Sequence, residues 1–201
     1  MSQQTCQLLE APPSEQEFPT AASPLKAGKG FSTRSTLFFI DWDDTILPTS
    51  WLRACGLLAG TIAEMTESAA PQISDSVRRI LADLETLAVD VIETCERLGT
   101  VVFVTNSSTL WIPFTVRRFF PEKLAICMER FQFYSARPEE VEAALANPET
   151  AKSVYYVPSM GTQWKIERFK KVAAQGNFND FISIGDGYAE RVAVLALRAK
   201  G

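Results

Sequence analysis

The sequence predicts an α/β domain organised around a doubly wound, mostly parallel sheet. Two observations point there: four short apolar runs alternate with helical patterns, and polar side chains collect where those runs end. A run that is apolar throughout fits a strand covered on both faces. Strands alternating with helices imply parallel pairing through right-handed crossovers. With 201 residues the chain suffices for one such domain and is short for two.

Taken in order, residues 1–33 are rich in Ser, Thr, Pro, Gly, Gln and Ala without sustained periodicity. They read as a disordered N-terminal tail, which leaves 34–201 as the core domain. The first strand is "TLFFID", beginning at Thr36. A short helical insertion is expected over about 48–73, with its helix near 51–69. In "SDSVRRILADLETLAVDVIETCERLG", Val77, Ile80, Leu81, Leu84, Leu87, Val91, Cys95 and Leu98 recur at steps of three or four. This predicts a long amphipathic helix that buries that set, with Ser74 or Ser76 as N-cap and Gly99 as its stop. The remaining strands are "VVFVT" (101–105), "FQFYS" (131–135) and "FISIG" (181–185). Weaker helical patterns cover about 109–120, 138–146, 163–174 (after a break at Gly161-Thr162) and 187–199.

Composition narrows the chemistry. The chain has no histidine, so Ser-His-Asp and Cys-His catalysis, helical H-E-x-x-H zinc sites and imidazole acid/base chemistry are all excluded. Any catalysis falls to carboxylates, lysine or hydroxyls. Cys6, Cys55, Cys95 and Cys127 lie far apart, without zinc or redox spacing, and are expected as reduced thiols. A net charge of -4 gives no basic field for nucleic acid or anionic lipid, so neither is an expected partner. No apolar run reaches the roughly 18 residues of a membrane span, and no leader pattern opens the chain, so the expected location is cytoplasmic.

The ends of the strands carry the signal. The first runs into Asp41, Asp43 and Asp44, the second into Thr105 and Asn106, and the fourth into Gly185 and Asp186, with Glu190 one turn on. In doubly wound sheets, ligands bind outside these carboxyl ends. Lys165, expected in the first turn of the helix before the last strand, can reach the same edge. The set suits phosphoryl transfer, in which an attacking carboxylate and a phosphate repel unless a divalent cation and an ammonium intervene. Asp41 is the expected nucleophile. Asp43, two residues on and leaning to the same side, is the expected acid and base. Asp41, Asp186 and the Asp43 backbone carbonyl are the expected Mg2+ ligands. Thr105, Asn106 and Lys165 are the expected phosphate contacts, with Thr45 and Glu190 in support.

Together "FFIDWDDTIL", "VVFVTN", Lys165 and "ISIGDGYAE" resemble the four ordered motifs of the haloacid dehalogenase-like hydrolases, over about residues 36 to 190. The resemblance implies a Rossmann-like core and a Mg2+-dependent phosphatase acting through an aspartyl-phosphate. An acid at the position of Asp43 typifies the phosphatase branch. The family usually continues into a fifth strand, whereas this chain stops one helix after the fourth motif, so a missing fifth strand and an exposed sheet edge are expected. Residues 48–73 and 136–162 are too short for a full cap, which implies an open site and a macromolecular or bulky phosphorylated substrate.

Blander readings stand beside these. Asp44 is expected to cap the next turn. Thr105 can satisfy backbone groups at its strand end. Arg168, Lys170 and Lys171 compete with Lys165, and Trp42, Trp51 and Trp111 read as packing. Two other functions use the same ingredients: a non-catalytic binding protein on this fold, and a receiver-type phospho-aspartate module. The latter needs an acid after the third strand, where "FQFYS" has none.

Overall fold

All four apolar runs become strands of one parallel sheet: β1 (Thr36–Ile40), β2 (Thr100–Thr105), β3 (Gln132–Ser135) and β4 (Asp180–Ile184). Their order is β3-β2-β1-β4. The computed structural model describes residues 35–58, 71–147, 150 and 158–198. These belong to a unit spanning Phe31–Gly201. The tail expected at 1–33, and residues 59–70 of the insertion, lie outside the described residues.

Seven helices occur among the described residues. They are α1 (Thr49–Ala54), α2 (Asp75–Leu98), α3 (Trp111–Phe119), α4 (Lys123–Met128), α5 (Glu139–Ala146), α6 (Pro158–Ala173) and α7 (Tyr188–Arg198). None is long and apolar enough to cross a membrane. Cys95 and Cys127 are free thiols, both buried.

Strand periodicity of two divides the core. Phe38 and Ile40 of β1, with Val101 and Phe103 of β2, face α2, α3 and α4. Leu37 and Phe39, with Val102 and Val104, face the side of α6 and α7. Each Phe or Ile buried in this way stabilises by about 1.5–3 kcal/mol. On the second side the Phe39 and Phe169 rings stack at 3.9 Å, fixing α6 against β1. Lys165 lies one helical turn before Phe169, so this stack also aims the lysine.

Three expectations need correction. The helix expected from about 163 begins at Pro158 and runs through Gly161. Proline suits the first helical position, where its missing N–H has no partner to lose, and Lys165 consequently lies two turns in rather than in the first. The short α4 was not expected. It is held by Glu85, a buried acid of α2 whose Oε1 accepts from the Leu124 N–H at 2.9 Å, neutralising the start of the helix.

The third correction concerns α2. Ser74 does cap it, accepting from the Val77 N–H, and it ends before Gly99. Its buried residues, however, are Leu81, Glu85, Ala88, Ile92 and Cys95, whereas Ile80, Leu87, Val91 and Leu98 are exposed. The apolar arc is wider than the sheet can cover, and the helix is rotated toward α4.

Candidate active site

The site begins with a tight loop after β1. The Asp41 N–H donates to Ile184 O at 2.9 Å, extending the sheet by one bond. Trp42 O then accepts from the N–H groups of Ile46 and Leu47, each at 3.0 Å, and closes the loop. The Trp42 ring is fully buried, its Nε1 donating to Thr115 Oγ1 at 2.9 Å and its edge set against Phe103. That anchor turns Asp41 and Asp43, one residue to each side, toward the sheet edge. Asp44 points elsewhere. With a φ of 55° it adopts the left-handed conformation, and its carboxylate accepts from the Ser50 N–H at 2.7 Å and Ser50 Oγ at 2.6 Å. It caps the first turn of α1, as expected.

Asp41 is buried beside Lys165, whose Nζ donates to Asp41 Oδ1 at 2.6 Å. The same ammonium contacts Glu190 Oε1. Lys165 is 2% exposed, which separates it from Lys170 on the outer face of α6. A lysine buried to this degree is tolerable only with ionic partners, and here it has two. Burial pushes the Asp41 carboxyl up to about 6, against the lowering effect of Lys165. Glu190 reaches the lysine by folding back over the loop after β4. A Cβ on Gly185 would lie 2.3 Å from Glu190 Cγ, and one on Gly187 would lie 2.7 Å from Glu190 Oε2.

Asp43 has different surroundings. Its Oδ1 accepts from Thr49 Oγ1 at 2.7 Å and from Trp111 Nε1 at 2.8 Å. Its Oδ2 accepts from Thr105 Oγ1 and Ser107 Oγ, both at 3.1 Å. A carboxylate has about four acceptor positions, so all are filled. Thr105 is buried, with its hydroxyl proton on Asp43 and its lone pair taken by the Ser107 N–H at 2.9 Å. Thr105, expected as a phosphate contact, thus also orients Asp43.

Thr45 joins the two loops, since its Oγ1 lies 3.4 Å from Asp41 Oδ2 and accepts from the Asp186 N–H at 3.1 Å. The Asp186 residue itself is exposed at the rim. Two buried oxygens, Asn106 Oδ1 and Glu190 Oε2, have no hydrogen-bond partner. Among the described residues no three acid or thiol side chains converge as a metal cage. The expected ligand set, two carboxylates and a backbone carbonyl, is smaller than such a cage.

The structure therefore brings Asp41, Thr45, Lys165 and Glu190 into one ionic cluster, and Asp43 and Thr105 into a neighbouring hydrogen-bonded one. Asp186 approaches through its backbone, and half-buried Asn106 follows Thr105. Sequence reading missed Thr49 and Ser107 and took Trp111 for packing. Trp111 is indeed buried, but it also donates to Asp43. No protein-family model, no curated protein and no solved structure matches the chain.

Proposed function

We propose that this chain is a haloacid dehalogenase-like, Mg2+-dependent phosphatase that hydrolyses a phosphate monoester through an aspartyl-phosphate on Asp41. The observation that carries the reading is the buried Lys165 ammonium on Asp41 at the carboxyl end of a parallel strand, with a second acid two residues away held by uncharged donors. Burying a lysine is costly unless it is paired, and beside a nucleophile that must meet a dianion its charge would also stabilise the transition state.

In the proposed reaction an Asp41 oxygen attacks phosphorus, the bond to the leaving oxygen breaks, and that oxygen takes a proton from Asp43. Asp43 then accepts a proton from water as the water attacks phosphorus, the bond to Asp41 breaks, and inorganic phosphate leaves. The surroundings of Asp43 fit a group that changes protonation. Trp111 can only donate, so Oδ1 stays an acceptor, whereas the Ser107 hydroxyl can rotate to accept a hydrogen bond from a protonated Oδ2. Lys165 and the Asn106 amide would hold phosphate oxygens.

Asp41, Asp43, Asp186 and Glu190 share this edge with Lys165, and the excess of negative charge, together with the unpartnered Glu190 Oε2, suits a divalent cation. The Asp41 and Asp186 carboxylates and the Asp43 carbonyl would hold it. Bound there, Mg2+ supplies Lewis-acid neutralisation of the phosphate. The helices nearest the insertions, α1 of 6 residues and α5 of 8, make no cap domain among the described residues, which supports a bulky or macromolecular substrate.

The deciding experiment is Mg2+-dependent hydrolysis of p-nitrophenyl phosphate by the wild type and by Asp41→Asn. Turnover that falls at least about a thousandfold in the variant is expected for loss of a covalent nucleophile. The filled lone pairs of Asp43 favour one rival, a non-catalytic binding protein. Absence of turnover with retained phosphate binding would select it.

A further inference from the structure

We infer that the exposed apolar stripe of α2 is a self-association surface, on which two copies of this chain pair their α2 helices antiparallel about a two-fold axis level with residue 89. The stripe consists of Ile80, Leu87, Val91 and Leu98, which are 43%, 62%, 44% and 47% exposed. A single exposed leucine is ordinary, but four aligned along one helix are not. At 3.6 residues per turn, they lie about 100° round the helix from the buried residues. Helix α4 does not cover them, because it sits on the other flank, where Lys123 reaches Thr86 and Arg130 pairs with Glu93 and Glu96.

The spacing argues for a second copy. With Leu84 and Thr94 added, the stripe alternates steps of four and three from 80 to 98, the repeat of a two-helix seam. The pairs 80 and 98, 84 and 94, and 87 and 91 all share residue 89 as their midpoint. Inverting one helix against its copy about that level therefore sets Ile80 on Leu98 of the partner subunit. It also sets Leu84 on Thr94 of the partner subunit and Leu87 on Val91 of the partner subunit. A stripe that maps onto itself in this way is what an isologous interface requires.

Charge on the outer flank agrees. Asp83, Asp90 and Arg97 follow one another at intervals of seven beside the stripe. In the inverted pair Asp83 lies about 3 Å out of level with Arg97 of the partner subunit, within reach of that long side chain, and this occurs twice, while Asp90 faces its own copy once beside the axis. Two attractive contacts thus stand against one repulsive contact. Within one chain Asp83 and Arg97 are about 21 Å apart along the helix, too far to pair. Arg97 already donates to Thr94 Oγ1, which leaves its other N–H groups free to face outward. A parallel pairing offers these charges nothing, because the opposite flank is the buried row of Leu81, Ala88 and Cys95.

An interface built on one helix is small, so the dimer is concentration-dependent rather than obligate. The inference is independent of the catalytic proposal, since its readout is mass. Sedimentation of the full chain in reducing buffer, over a wide concentration range, is expected to show a monomer–dimer equilibrium. Leu87→Glu, an exposed and therefore well-tolerated change, should weaken it at least about tenfold, or 1.4 kcal/mol. Asp83→Arg and Arg97→Asp should each weaken it, the double exchange should restore it, and Asp90→Asn should strengthen it. A monomer at every concentration overturns the inference, as does a dimer indifferent to Leu87→Glu or one that the double exchange does not rescue. A monomer in which the thiol introduced by Leu87→Cys resists labelling also overturns it, because another part of the chain or a different partner then covers the stripe.

Discussion

Asp41 and Asp43 are two residues apart on one loop, yet the chain treats them in opposite ways. Asp41 faces a buried ammonium shared with Glu190, so its environment is ionic and dry. Asp43 faces an indole and three hydroxyls, so its environment is neutral and can rearrange. The difference teaches how one turn can give identical side chains separate environments: in the proposed reaction the fixed charge suits a nucleophile, and the rotatable donors suit a proton carrier. Trp42, anchored in the core between them, makes the division possible.

The ionic half should break hardest. Lys165→Met leaves two buried carboxyl groups facing each other, and a loss of about 3–5 kcal/mol is expected in urea unfolding. Adding Glu190→Gln should recover part of it. If Lys165→Met proves nearly neutral, the lysine is not the counter-charge that holds this cluster.

Acidity sharpens the contrast next. The Asp41 carboxyl is raised from an ordinary 3.8 to about 6 by burial, so the folded chain retains a proton that the unfolded chain releases between those values. The stability it contributes is complete below about pH 3.8 and is lost as pH rises through about 6. Wild type should therefore lose up to about 3 kcal/mol relative to Asp41→Asn across that window, measured by urea unfolding in chelator. A pH-independent difference would show that Asp41 is as acidic in the fold as outside it.

Effects on the hydrogen-bonded half should be milder. Trp111→Phe keeps the packing and removes one donor from Asp43, for an expected loss of about 1–2 kcal/mol. Activity should fall with it, through kcat more than KM. Thr45→Val, which unlinks the loops of Asp41 and Asp186, should lower stability least, by about 1 kcal/mol, and should weaken any Mg2+ dependence of the melting temperature.

The strands were legible because each is a continuous apolar run, and a fully buried strand leaves that imprint on the sequence. The residues at the strand ends were legible for the same reason: locating the strand locates its last residue. Helix α4 was not, since six residues after Pro121 are too few to display a period, and its support comes from Glu85, far away in sequence. The inner face of α2 was misread because apolar residues cover more of that helix than the core needs, and periodicity cannot tell which part of a wide arc turns inward. That Thr105, Ser107 and Trp111 donate to Asp43 was not legible, although Thr105 itself was. All three lie more than sixty positions from Asp43, and only the β1–β2 pairing brings them close.

Glu190 rests on a mould made of absent atoms, the missing side chains of Gly185 and Gly187. A methyl group added at position 185 would occupy the same space as the glutamate stem and evict it from Lys165. The ammonium would then keep Asp41 but lose the second carboxylate that shares it, and the charge balance beside Asp41 would change. The centre could thus be silenced by shape alone, with every polar residue still in place, so a survey of acids and lysines would overlook the lesion.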